Sequence, residues 1–116
     1  MTNSFGNALR ECRRAAKLSQ RELANRIGLD FSYISKIENG RLPPPSADTI
    51  VEICRVLEIE PEELLALTGK IPSKVREIVS SSKTAQEFLS EAQRMGLTDD
   101  EWTTMVKSLR KLRGHD

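Results

Sequence analysis

The sequence predicts an all-α protein, with a five-helix domain over residues 1–70 and a small helical section over residues 71–116. Three observations support this fold class. Apolar residues recur three and four positions apart, as on one face of a helix. Pairs of residues typical of capping boxes mark helix starts, and segments rich in glycine or proline separate the helices.

The first helix is predicted from about Phe5 to Leu18. Phe5, Leu9, Cys12 and Ala16 follow one another at spacings of four, three and four, and therefore share one face. The opposite face carries the arginines. We expect the apolar face to be buried.

Two short helices joined by a tight turn are predicted next. Ser19 and Glu22 form a capping-box pair, in which each side chain satisfies a backbone N–H at the helix start. Gly28 stands where a chain leaving a helix often needs a positive φ, which is cheap only for glycine. Asp30 can cap a second helix, which ends at Asn39–Gly40.

This stretch resembles the helix-turn-helix of the phage repressor and Cro type, found in the large XRE-like family of bacterial and phage regulators. The matching positions are Leu23, Ala24, Ile27, Gly28, Leu29, Ile34 and Ile37. The resemblance covers roughly residues 5 to 70. It implies a repressor-like DNA-binding domain whose second motif helix, around residues 31–39, lies in the major groove.

The resemblance also implies which side chains face the DNA bases. Phe31, Ser32 and Lys36 match positions that point into the groove, and Tyr33 lies near its edge. Lys36 can donate to guanine, Ser32 can donate or accept, and Phe31 can contact a thymine methyl group. Tyr33 can instead be a partly buried anchor with its hydroxyl at a phosphate.

Further residues match positions that bind the DNA backbone or support the motif. By resemblance, the phosphate contacts are Ser19, Gln20, Asn39 and Arg41, with Arg10, Arg14 and Arg21 as additional candidates. Arg13 matches an arginine that pairs, in the family, with the glutamate at the end of the recognition helix, here Glu38. The resemblance therefore implies a structural ion pair between these two residues.

The proline-rich segment at residues 41–46 predicts a non-helical connection, ending in caps for a fourth helix at Ser46 or Asp48. A fifth helix has Pro61 in its first turn. Its expected buried residues are Leu64, Leu65 and Leu67.

The C-terminal section contains two more capping-box pairs, Thr84 with Glu87 and Thr98 with Glu101. They predict helices that begin near residues 85 and 99. The apolar stripe on these helices includes Phe88, Trp102, Met105, Val106, Leu109 and Leu112. The stripe can fold back on the first domain, bind another protein, or pair with a second copy of the chain. We expect the homodimer.

The formal net charge of +1 conceals a division along the chain. Residues 1–41 hold eight Lys or Arg against four acidic residues, whereas residues 42–69 hold one Arg against six acidic residues. Positive charge therefore gathers on the motif and its lead-in helix, as binding to the phosphates of double-stranded DNA requires.

Other classes of function find little support. Cys12 and Cys54 lie at apolar helical positions without metal-ligand spacing, and His115 is next to the last residue, so we expect reduced thiols, no metal site and no cofactor. The N-terminus lacks a signal pattern and no apolar run is long enough for a membrane span, which favours a cytoplasmic protein. Ser82 and Lys83 are adjacent in a polar break, which does not suit a self-cleaving enzyme.

The expected function is sequence-specific DNA binding by a transcriptional repressor. One reading helix contacts few base pairs, so a homodimer on an inverted repeat is expected, with half-sites about one helical turn apart. Two alternatives remain open. The chain can be an antitoxin that regulates its own operon and binds a toxin through its C-terminal helices, or an interaction adaptor that does not bind DNA.

Overall fold

The computed structural model describes residues 4–114, which are helical throughout except for turns and short connections, so the predicted all-α class is confirmed. His115 lies outside these residues. The helices are α1 (Ser4–Ala15), α2 (Gln20–Ile27), α3 (Phe31–Glu38), α4 (Ala47–Leu57), α5 (Glu62–Thr68), α6 (Ser73–Ser80), α7 (Lys83–Met95) and α8 (Asp99–Lys111).

The chain divides into two compact units, Met1–Arg76 and Glu77–Asp116. The first unit extends a few residues beyond the predicted boundary at residue 70, and Ser73, at the start of α6, is bound to Asp48 of α4. The backbone N–H of Ser73 donates to Asp48 Oδ1 at 2.9 Å, and its hydroxyl donates to Oδ2 at 2.6 Å. These bonds lower the pKa of Asp48.

The core of the first unit is formed by apolar side chains from α1 to α5. Its fully buried members include Leu9, Leu23, Ile34, Ile37, Ile50, Ile53, Cys54 and Leu64. One cluster thus joins α2 and α3 to three supporting helices. Burial of this apolar surface holds the two motif helices in a fixed relative orientation.

The local signals of the helix-turn-helix are confirmed. Ser19 and Glu22 form the complete capping box, and Gly28 ends α2 at a φ of 71°, where its N–H donates to the carbonyl of Ala24. The Asp30 side chain caps α3 by accepting a hydrogen bond from the N–H of Ser32. Ala24 is only 1% exposed, and its small side chain leaves α2 and α3 room to approach each other.

The predicted end of α1 is three residues too late, because the helix ends at Ala15. The chain turns at Lys17, whose φ is +61°. The N–H of Lys17 donates to the Arg14 carbonyl at 2.9 Å, and the N–H of Leu18 donates to the Arg13 carbonyl at 3.2 Å. The helical apolar spacing that continues past residue 15 therefore belongs partly to a turn.

Two other local predictions are wrong. Leu67 is 47% exposed, because the short helix α5 turns only one narrow face, centred on Leu64, toward the core. Helix α7 begins at Lys83 and is capped by Ser82, whose side chain accepts from the N–H of Ala85, so Thr84 is not the cap. A serine cap without a reciprocal glutamate is enough to start this helix. The Thr98–Glu101 capping box of α8 is confirmed.

Candidate nucleic-acid interface

Helix α3 presents two polar side chains outward at neighbouring positions. Ile34 and Ile37 are buried in the core, whereas Ser32 and Lys36 are exposed. Residues four apart lie on the same helical face, so Ser32 and Lys36 can reach one ligand together. The other two predicted base contacts, Phe31 and Tyr33, are half-buried and pack against the core.

The C-terminal end of α3 is tied to α1 by a buried ion pair. The Nε of Arg13 donates to Glu38 Oε2 at 2.7 Å, and Nη2 donates to Oε1 at 2.9 Å. Glu38 is 1% exposed and Arg13 is 7% exposed. The structure thus brings together the two residues expected to pair, in the two-pronged geometry that favours arginine over lysine.

Two of the predicted phosphate contacts also donate hydrogen bonds to Glu38. Gln20 Nε2 donates to Oε1 at 2.9 Å, and Arg10 Nη2 donates to the main-chain carbonyl of Glu38 at 3.1 Å. The first residue of α2 and the middle of α1 are therefore both connected to the end of α3. The family resemblance implied a pair between Glu38 and Arg13 alone, and no sequence signal indicated that Gln20 and Arg10 share the same partner.

The environment of Glu38 keeps its carboxylate ionised. Burial on its own raises the pKa of Glu38, since it disfavours the charged form. Hydrogen bonds from Arg13, Gln20 and Arg10, together with the charge of Arg13, outweigh burial and bring the pKa below its usual value.

Arg10 also fixes the side chain of Asn39. Its Nη2 donates to Asn39 Oδ1 at 2.9 Å, which leaves the amide nitrogen of Asn39 3.5 Å from Ser35 Oγ. Asn39 is exposed at the end of α3. The arrangement orients an N–H donor group at the rim of the surface that carries Ser32 and Lys36.

The N-terminal ends of α2 and α3 are joined by a cation–π contact. Arg21, the second residue of α2, places its guanidinium carbon 4.2 Å from the centre of the Phe31 ring at the start of α3. This contact brings together a predicted phosphate contact and a predicted base contact.

The remaining predicted phosphate contacts, Ser19, Arg14 and Arg41, are all exposed. The Ser19 hydroxyl accepts the capping hydrogen bond from the N–H of Glu22 at 3.0 Å. Positive charge is concentrated in α1 to α3 and the residues just after them, whereas α4 and α5 are acidic. A polyanion is therefore attracted to α1–α3 and repelled by α4 and α5.

The two cysteines are free thiols in or beside the core. Burial raises the pKa of Cys54 to about 11, and burial also raises the pKa of Cys12. A thiol with a raised pKa is a poor nucleophile and a poor metal ligand.

In the second unit, the stripe residues line an apolar groove. The groove has a volume of about 500 Å³, and it is lined by Val79, Ala85, Phe88, Leu89, Trp102, Met105, Val106, Ser108, Leu109 and Leu112. All six predicted interface residues are among them. In the described part of this unit, Ala92 is the only buried residue, at 7% exposure.

Within residues 4–114, no helix is both long enough and apolar enough to cross a membrane.

Comparison with known proteins places the motif in a family. The family described as "Helix-turn-helix domain" matches residues 4–67, more than half of the chain. The HTH-type transcriptional regulator RghRB of Bacillus subtilis (strain 168) is 38% identical over 91 residues, which cover 76% of this chain and 66% of the relative. The HTH-type transcriptional repressor RghR of the same organism is 34% identical over 90 residues, which cover 78% and 66%.

A regulator of Sinorhizobium fredii (strain NBRC 101917 / NGR234), y4dL, is 34% identical over 80% of this chain and 45% of its own length. The matched region therefore spans less than two thirds of each of these relatives. A chain of the SinR protein/SinI protein complex has a similar fold, with a TM-score of 0.51 and 20% identity over 91% of this chain and 94% of that chain.

Proposed function

Because this chain belongs to the helix-turn-helix domain family, we propose that it is a transcriptional repressor that binds specific double-stranded DNA sequences through α3. The observation that carries the proposal is the pair of exposed side chains, Ser32 and Lys36, on a helix whose far end is held by the buried Arg13–Glu38 ion pair. The relative RghR is named a transcriptional repressor, which supports repression over activation.

In this proposal, Ser32 and Lys36 read base edges in the major groove. Lys36 donates to guanine O6 and N7, while Ser32 donates or accepts. Tyr33 is half-buried and packs against the core, and we assign its hydroxyl to a base edge or a phosphate.

Backbone contacts flank the reading residues on both sides. Asn39 and Arg41 follow α3, Ser19 caps α2 and Gln20 is its first residue, and we assign all four to DNA phosphates. Gln20 and Arg10 each bind Glu38, so their contribution to DNA affinity is in part to hold α3 in place. Arg14 adds an exposed charge on α1.

We propose further that the second unit makes the chain a homodimer. A 40-residue unit with one buried residue in its described part has too little core of its own to be stable, and its groove is almost entirely apolar. A second copy would supply matching apolar surface around a two-fold axis. Two reading helices would then meet an inverted repeat. We propose the cytoplasm as the compartment.

The test is selection of bound duplexes from a random DNA pool by the full-length protein at near-physiological salt. We expect an inverted repeat, whose spacing reports the distance between the two reading helices. Failure to enrich any sequence at either low or near-physiological salt would contradict DNA binding. Recovery of a single half-site would contradict the dimer while leaving the reading helix in place.

The groove also favours a second candidate, an antitoxin that regulates its own operon. In that case the groove would bind a toxin. Purification from the native host distinguishes the two, because an antitoxin would bring with it a small unrelated protein in equal amount. An adaptor of this fold would bind a protein partner but no DNA.

A further inference from the structure

Arg21 and Phe31 are expected from the sequence to contact DNA separately, but the structure stacks one on the other. The guanidinium carbon lies 4.2 Å from the ring centre, well inside the range of about 6 Å in which an aromatic face attracts a cation. The contact connects the first turns of α2 and α3, the two helices of the motif.

The stacking changes what the Phe31 ring can offer to DNA. One face of the ring lies beneath the guanidinium, and the side chain is half-buried against the core. A thymine methyl group would have to displace Arg21 to reach that face. Phe31 is therefore poorly placed to contact a base, and well placed to hold the guanidinium of Arg21.

The position of Arg21 is unfavourable for the helix that carries it. A cation in the first turn opposes the partial positive charge of the helix N-terminus. Among the described residues, no carboxylate forms a salt bridge with Arg21. The aromatic ring is thus the contact that holds the guanidinium.

We propose that Phe31 is a positioning residue whose ring holds the guanidinium of Arg21 for a DNA phosphate beside the major groove. A guanidinium whose carbon lies over a ring still has N–H groups that can bind two phosphate oxygens. This inference rests on the proposed DNA binding and assigns Phe31 a role independent of base sequence.

The test is a double-mutant cycle on the duplex selected by the wild-type protein, with a scrambled duplex as reference. Phe31→Leu keeps an apolar side chain against the core but removes the aromatic face, and Arg21→Gln removes the charge. Arg26→Gln, an exposed arginine at the other end of α2, is the matched control. Melting temperatures of all variants show whether the fold is retained.

We expect Phe31→Leu to weaken binding about two- to five-fold, equally on the selected and scrambled duplexes, because that is the affinity equivalent of an exposed cation–π contact. In the Arg21→Gln background, Phe31→Leu should have no further effect. An equal loss in both backgrounds, or no loss in either, would overturn the proposal.

A second measurement separates positioning from base reading. Each thymine of the selected duplex is replaced in turn by deoxyuracil, which lacks the 5-methyl group. We expect each replacement to weaken binding by the wild-type protein no more than it weakens binding by the Phe31→Leu variant. A position at which loss of the methyl group weakens the wild type but not Phe31→Leu would show that Phe31 reads thymine. Failure of the wild type to bind any duplex would instead contradict the proposed function itself.

Discussion

Arg13 and Glu38 form a buried two-pronged ion pair that joins α1 to the end of α3, with donor–acceptor distances of 2.7 and 2.9 Å. Gln20 and Arg10 donate to the same glutamate. The orientation of the proposed reading helix is therefore set from its C-terminal end by charged and polar side chains, and along its length by the apolar core.

Replacing Arg13 should destabilise the fold of the domain and should not change its DNA sequence preference. Arg13→Ala leaves Glu38 buried without its main partner, which costs about 3–5 kcal/mol for a fully buried pair. Chemical denaturation of the variant should show a correspondingly lower midpoint. Arg14→Ala, at the next and exposed position, is the control and should keep the wild-type midpoint. A stable Arg13→Ala protein that no longer binds DNA would instead make Arg13 a DNA ligand.

The ion pair should make stability depend on pH in the acid range. The folded pKa of Glu38 lies below its ordinary value of 4.5, so its contribution to stability is complete above that pH and is lost as pH falls through the folded pKa. We expect Glu38→Gln to be less stable than the wild type at pH 7, and the difference in unfolding free energy to shrink on acidification. Glu87→Gln, on the exposed surface of α7, should follow the wild-type curve. Parallel curves for wild type and Glu38→Gln would refute the assignment.

Arg41 should affect affinity for all DNA sequences alike. Removing one phosphate contact with Arg41→Ala should lower the slope of log affinity against log salt by about one unit, without changing the preferred sequence. The control is Arg55→Ala, an exposed arginine on the acidic helix α4 that pairs with Glu52. If Arg41→Ala altered the order of preference among duplexes, it would be a base reader.

The apolar groove should control the oligomeric state. Val106→Lys places a charge in the groove and should convert the dimer to a monomer at micromolar concentration, because burying an unpaired charge is costly. Thr104→Lys, on the exposed opposite side of the same helix, should leave the dimer intact. Sedimentation equilibrium measures both. A wild-type protein that sediments as a monomer, free and on DNA, would exclude the homodimer.

The sequence predicts best those features that depend on neighbouring residues. The Ser19 cap and the turn at Gly28 follow from backbone chemistry within a few positions, and the structure confirms both. The end of α1 is missed because apolar spacing continues through a turn. The stacking of Arg21 on Phe31 joins different helices, and no periodicity or capping rule encodes such a contact.

The central claim is that α3 reads base sequence, and Lys36 tests it most directly. Random-pool selection is repeated with Lys36→Ala beside the wild type and Arg41→Ala. We predict that Lys36→Ala loses its preference at one base pair of each half-site, a cost of about 1–3 kcal/mol there, and keeps the rest of the motif. An unchanged motif with uniformly weaker binding would show that Lys36 contacts phosphate and would contradict base reading by this face of α3.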